Sequence, residues 1–187
     1  MRRFDLAGEI LERISRNLAA REPPPGGLRF AAVAIIIRDR ENPSVLLIKR
    51  AERSGDPWSG QIAFPGGKMQ SGDGTARRTA ERETLEEVGI DLAKSAQFLG
   101  YGQLTATHTG TMEVVPSVFI IGGAVTVKTN VEVASYRWAD IGELTAPRAA
   151  SSYTLRYEGQ SVRMPAFMAG DYVVWGLTYR ILASVLA

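Results

Sequence analysis

The amino-acid sequence predicts one domain of mixed α+β or layered α/β/α architecture. Three observations carry this: apolar, β-branched runs lie on both sides of one strongly polar helical segment, helical periodicity marks both ends of the chain, and no internal repeat divides it. A chain of 187 residues is long enough to bury a core without disulfides or a structural metal.

Taken in order, Leu6, Ile10, Leu11, Ile14 and Leu18 recur at helical spacing and predict an amphipathic N-terminal helix within residues 1–22. The proline- and glycine-rich stretch 21–27 ends it. Its apolar stripe needs a cover, which its own domain, a second subunit or a membrane surface can each supply. The main domain is expected over 28–187. Residues 30–37 and 45–48 are apolar runs separated by the turn-prone Asp39-Arg40-Glu41-Asn42-Pro43, a hairpin-like pair. Residues 61–64 read as a short strand delivering Pro65-Gly66-Gly67, and 75–88 as a helix stopped by Gly89. Further strands are expected at 96–104, 114–121, 135–138 and 153–157, with a closing helix at 171–186.

Composition removes several function classes. Cysteine is absent, which excludes disulfides, zinc–thiolate sites and a cysteine nucleophile, and suits a reducing cytoplasm. The formal charge of +2 is too balanced for nucleic-acid binding, and the Arg77-Arg78 pair reads as an exposed helix face. No apolar run approaches the roughly 18 residues of a membrane span. Met1-Arg2-Arg3 leads to Asp5 and Glu9, not to the core of a secretion signal.

The chemistry concentrates in residues 66–90. On a helix, positions three and four apart share a face, so Glu83, Glu86 and Glu87 span an arc of roughly 100°. Crowded like charges need a counter-charge. Mg²⁺ fits best, because it takes oxygen ligands and is usually held by one or two carboxylates together with substrate phosphates. Arg82 lies beside Glu83 and four residues before Glu86, where its planar fork can set a carboxylate rotamer.

This segment resembles the Nudix box, G-x5-E-x7-R-E-U-x-E-E-x-G-U, where U is aliphatic. Gly67 stands at the first glycine, Arg82 and Glu83 at the R-E pair, Glu86 and Glu87 at the E-E pair, and Gly89 and Ile90 at the closing pair. It departs at three points. Asp73 replaces the first glutamate, eight residues instead of seven separate it from Arg82, and Thr84 replaces an aliphatic residue. Upstream, 46–51 (LLIKRA) and 60–67 (GQIAFPGG) are similar to the coenzyme A pyrophosphatase branch, which often carries the same stretch in its box. Ile48 and Asp56 depart from that signature, Asp56 standing where an arginine is expected, and Arg53 is a candidate substitute.

The resemblance implies a sandwich of helices around a mixed central sheet and a Mg²⁺- or Mn²⁺-dependent pyrophosphohydrolase. The implied partner is a small-molecule nucleoside diphosphate derivative, with coenzyme A or acyl-CoA leading and ADP-ribose next. A non-catalytic nucleotide-binding module is the competing class, and a homodimer is a family-level expectation. Arg82, Glu83, Glu86 and Glu87 are the implied catalytic residues, and Glu83, Glu86, Glu87 and the Gly66 carbonyl the implied metal ligands. Arg50 and Arg53 are candidate substrate contacts. Lys49, His108, Glu113 and Glu132 lie outside the box, and each is expected at the surface more often than in the chemistry.

Overall fold

The computed structural model of the chain describes residues 6–24, 29–56, 58–146, 150–157 and 159–187. Helix α1 (Leu6–Arg16) precedes strands β1 (Arg29–Arg38), β2 (Ser44–Arg50), β3 (Ile62–Ala63) and β4 (Gly66–Lys68), then helices α2 (Ala76–Val88) and α3 (Leu92–Ser95). Strands β5 (Ala96–Tyr101), β6 (Thr105–Ala106), β7 (Met112–Ile121) and β8 (Val133–Asp140) lead to α4 (Ile141–Thr145). The chain closes with β9 (Ala150–Tyr157), β10 (Gln160–Ala169), β11 (Tyr172–Trp175) and α5 (Gly176–Leu186).

The sheet is mixed because β1 and β7 run parallel, in register from Arg29 opposite Met112 to Arg38 opposite Ile121. The other edge of β1 is shared: β2 pairs with it near the turn, and β4 pairs with Ala31, Ala32 and Val33 at the far end. Beyond the turn β2 leaves β1 and continues against β3 and β8. A strand covered on both faces has no polar side to offer, which is why β1 reads as a nearly unbroken apolar run.

Alternation along β1 divides the core in two. Ala31, Ile35 and Ile37 face Ile10 and Ile14 of α1 and Ile181, Leu182 and Val185 of α5. Ala32, Ala34 and Ile36 face Ala76, Ala80 and Val88 of α2. The result is the predicted α/β/α sandwich. The stripe of α1 is covered here by its own chain, with Leu11 and Leu18 packed at the margin of the same core. Residues 1–5, the Leu6 side chain and residues 25–27 of the predicted linker lie outside the described residues. No helix among the described residues is long and apolar enough to cross a membrane.

Two expectations need correction. The closing helix does not begin at 171: Tyr172–Trp175 is a strand, paired with β10 and continuing through it to β9 in a separate antiparallel sheet. Val174 is fully buried and the Tyr172 hydroxyl meets that of Ser135 at 2.7 Å, so tertiary packing holds this β-branched run extended. Gly176, at φ 63°, then turns the chain into α5. The strand expected at 96–104 stops earlier, with β5 ending at Tyr101, and a separate short strand β6 begins beyond it at Thr105.

Candidate active site

Strand β4 and helix α2 build the site. Thr75 caps the helix, its hydroxyl oxygen accepting from the Arg78 N–H at 3.2 Å, and Gly89 closes it at φ 70° with its N–H on the Leu85 carbonyl. Thr84 fills the aliphatic position of the box fully buried, because its hydroxyl donates to the Ala80 carbonyl at 2.7 Å and leaves no polar atom unpaired.

The two glycines are required by close approach. At Gly66, φ 157°, a Cβ would lie 2.4 Å from the Ala32 carbonyl oxygen and 2.7 Å from the Val33 Cα. At Gly67 it would lie 2.4 Å from Glu83 Oε1, so that carboxylate rests directly on the strand. One helical turn on, Glu87 Oε2 accepts from the Gly66 N–H at 2.9 Å. Glu83 and Glu87 therefore rest against the same two residues. Glu86 stays on the open side, 55% exposed, with Arg82 at 3.4 Å.

Arg82 organises the cluster. Its Nε and Nη2 donate to Asp73 Oδ1 and Oδ2 at 2.9 and 3.0 Å, Nη1 donates to Glu83 Oε1 at 2.8 Å, and Nη2 also reaches the Lys68 carbonyl at 3.2 Å. Asp73 additionally accepts from the Gln70 N–H and the Thr79 hydroxyl, each at 2.9 Å. The added residue in the box and the shorter acid thus compensate one another. Arg82 above all holds the Asp73 carboxyl far below its usual range, with the Gln70 and Thr79 bonds adding to it. Replacement Asp73→Asn is expected to cost about 1–3 kcal/mol in a denaturant titration, since a partly buried guanidinium loses its partner. In the parent the same contribution is present above the ordinary carboxylate pKa and disappears as the pH falls below it.

The helix glutamates show the opposite shift. Burial pushes Glu87 up to about 7; the Gly66 N–H and Arg50 oppose the rise, while the charges of Glu83 and Glu132 add to it. Glu83 is also raised, first by burial, with Arg82 opposing and Glu86 and Glu132 reinforcing. Glu132, which no motif singled out, therefore acts on both helix carboxylates. It arrives through the pairing of β2 with β8, where the Ala51 N–H donates to its carbonyl at 2.8 Å, and its side chain meets Arg53 Nη1 at 3.0 Å.

Arg50 donates to Asp56 Oδ2 at 2.8 Å, so the acid standing where the resemblance expects an arginine is ion-paired. The Arg50 Nε is buried with no hydrogen-bond partner among the described residues. Lys49 lies on β2 opposite Ser135, His108 is exposed in the turn after β6, and Glu113 is half-buried on β7 opposite Phe30 and Ala106. Among the described residues no three His, Cys, Asp or Glu side chains form a ready-made metal-binding group.

Its sequence family marks the chain as a hydrolase of phosphoric anhydride bonds. A NUDIX domain matches residues 28–156, and the chain belongs to that family. The uncharacterized Nudix hydrolase NudL of Yersinia enterocolitica is 29% identical over 182 residues, covering 94% of this chain and 91% of its own. Its namesake in Photorhabdus laumondii is 31% identical over 166 residues, covering 86% of this chain and 87% of its own. An uncharacterized protein of Schizosaccharomyces pombe is 40% identical over 115 residues, 52% of this chain, and the match spans only 32% of that longer protein. Among solved structures, a MutT/nudix family protein from Enterococcus faecalis superposes with a TM-score of 0.56 at 15% identity, covering 95% of this chain and 67% of its own. The Nudix hydrolase RenU from M. smegmatis gives 0.52 at 21% identity, covering 62% of this chain and 73% of its own. At these identities the structural matches speak for the fold alone.

Proposed function

We propose that the chain is a Mg²⁺- or Mn²⁺-dependent pyrophosphohydrolase that cleaves the diphosphate linkage of coenzyme A or an acyl derivative of it, in the cytoplasm. The observation that supports this most is the placement of Glu83 and Glu87, one helical turn apart on α2, against the Gly66-Gly67 backbone. The donor chemistry fits a hard dication: the candidate atoms are all oxygens, and both carboxylates have raised pKa values, as expected of buried anions short of a counter-charge.

Glu83, Glu87 and the Gly66 carbonyl would hold the cation, with Glu86 at its exposed side. When bound, it supplies neutralisation of the phosphoryl oxygens and an acidified water. Arg82 sets the Glu83 rotamer through a short, charge-assisted bond. The charge of Glu83 adds to the upward shift that burial gives Glu87. Arg50, its Nε without an acceptor and its Nη2 steadied by Asp56, is the proposed phosphate contact, and Arg53 stands behind it on Glu132. One observation favours a second substrate, ADP-ribose or a similar derivative: Asp56 removes a cation that the extra phosphate of coenzyme A would use.

A panel of coenzyme A, ADP-ribose and dinucleoside polyphosphates, with and without Mg²⁺, tests this reading through product masses. Tight binding without turnover of any of them would instead support the non-catalytic module. A metal titration adds an independent measure. The raised Glu87 pKa means the metal-free fold binds a proton that the unfolded chain has released; this contribution is complete below the ordinary glutamate pKa and fades as the pH rises through about 7. Thermal unfolding is therefore expected to show a Mg²⁺-induced rise in Tm that grows between about pH 5 and about pH 8, because metal and proton compete for the carboxylate. A pH-independent Mg²⁺ effect would remove Glu87 from the ligand set.

A further inference from the structure

The segment after α1 crosses from one face of the sandwich to the other. At its start, the Asn17 side-chain amide donates to the Val185 and Ala187 carbonyls at the end of α5, at 3.2 and 3.0 Å. Ala19 then pairs with Tyr101 on β5, the last strand of the sheet path, N–H to carbonyl at 2.8 Å in both directions. Gly100 admits this crossing, since a Cβ there would lie 2.9 Å from the Ala19 carbonyl oxygen, and the register of β5 against β7 shifts at the same place. Three residues on, Glu22 Oε1 accepts from the Ala76 N–H, the first of α2, at 3.0 Å. Burial, and then the charge of Glu22, hold the Tyr101 phenol above its usual range, so the carboxylate also faces that hydroxyl. Covering the edge of a sheet is a backbone task that Ala19 performs. The Glu22 side chain does something further.

The first turn of α2 shows what that is. The N–H groups at a helix start have no partner within the helix, and the partial positive charge there favours an anion. Helix α2 carries no acidic residue in its first turn, only Arg77 and Arg78. Thr75 satisfies the Arg78 N–H, and Glu22, from 54 positions earlier, satisfies that of Ala76 and supplies the missing charge. The same turn holds Thr79, whose hydroxyl fixes Asp73 at 2.9 Å; Asp73 orients Arg82, and Arg82 orients Glu83. The far end of α2 is held by backbone, the Lys128 N–H on the Val88 carbonyl at 2.9 Å and the Asn130 N–H on that of Glu87 at 3.0 Å. A helix held at both ends resists sliding along its axis. Glu83, resting on Gly67, has little room for such a slide.

Building on the pyrophosphohydrolase reading, we infer that Glu22 is a positioning residue for the carboxylate helix: residues 17–22 strap the two faces together, and Glu22 fixes the start of α2 so that Glu83 meets β4. The test uses the full chain with Mg²⁺ and a compound that the parent turns over, well below the Tm of every variant. Glu22→Ala is expected to lower kcat about tenfold, because the carboxylates shift against β4. KM should stay within about twofold, since no substrate contact is lost. Glu22→Gln keeps an accepting oxygen for the Ala76 N–H and should recover most of kcat. Asn17→Ala loosens the strap at α5 without touching α2, and is expected to lower Tm while kcat stays at the parent value. If Glu22→Ala does not fold, Glu22→Asp, anionic but a methylene too short, carries the same expectation. Parent-like kcat in the folded Glu22 variant, or an equal loss in Asn17→Ala, overturns the positioning role while leaving the hydrolase intact. Absence of turnover by the parent overturns the hydrolase, and calorimetric Mn²⁺ affinity then decides the role of Glu22. Severalfold weaker binding by Glu22→Ala supports it; equal affinities, or no binding by the parent, overturn it.

Discussion

Glu83→Gln and Glu87→Gln are each expected to lower kcat/KM by about 100-fold or more while the protein stays folded. The amide keeps the volume and an accepting oxygen, so Glu87→Gln can still receive the Gly66 N–H, but it removes the anionic charge that a dication needs. Unfolding free energies of the metal-free variants should lie within about 1 kcal/mol of the parent, or above it for Glu87→Gln, which relieves a buried charge. The expected Mg²⁺-induced rise in Tm should shrink in both. Glu86→Gln is the informative contrast: its carboxylate is exposed and meets Arg82 only at 3.4 Å, so its loss is expected to stay nearer tenfold. Parent-like turnover in both Glu83→Gln and Glu87→Gln would falsify the assignment of the site.

The second large effect separates the two glycines. In Gly67→Ala the new methyl group meets the end of a side chain, Glu83 Oε1 at 2.4 Å, which can rotate away. The fold is expected to survive and activity to fall by about 10- to 100-fold, because a carboxylate displaced by an ångström no longer meets the reacting geometry. In Gly66→Ala the methyl group meets backbone instead, at Ala32 and Val33 in the centre of the sheet, and neither can move without breaking the pairing of β1 with β4. That variant is expected to lose about 3 kcal/mol or more of stability. Denaturant titration and steady-state kinetics on the same preparations distinguish the outcomes. A Gly67→Ala enzyme with full activity would mean that the position of Glu83 against β4 is not the working one.

Much of this was legible beforehand because it rests on local rules. The span of α2 followed from helical spacing and the Gly89 stop, and the strand β1 from an apolar run rich in β-branched residues. The adjacency of Glu83 and Glu87 followed from the helical period. Other features had no local signature. Residues 172–175 were read as helix because a short apolar, aromatic run is ambiguous in period; packing against Ser135 and β10 decided the matter. Glu132 was one of two acids outside the box weighed for the site, with a surface role favoured, and its influence could not be placed because it depends on β2 and β8 lying side by side, some eighty positions apart.

By itself, then, the chain's order of residues determined the mixed α/β class and the glutamate helix, both written in local spacing, and its resemblance to the Nudix box pointed to the family and the layered sandwich. The tertiary structure alone decided that Glu87 is buried against Gly66 while Glu86 is not, and that Asp73 replaces a longer acid without losing Arg82. Those outcomes depend on which surfaces meet when the sheet closes, and burial and charge coupling exist only once distant segments are in contact.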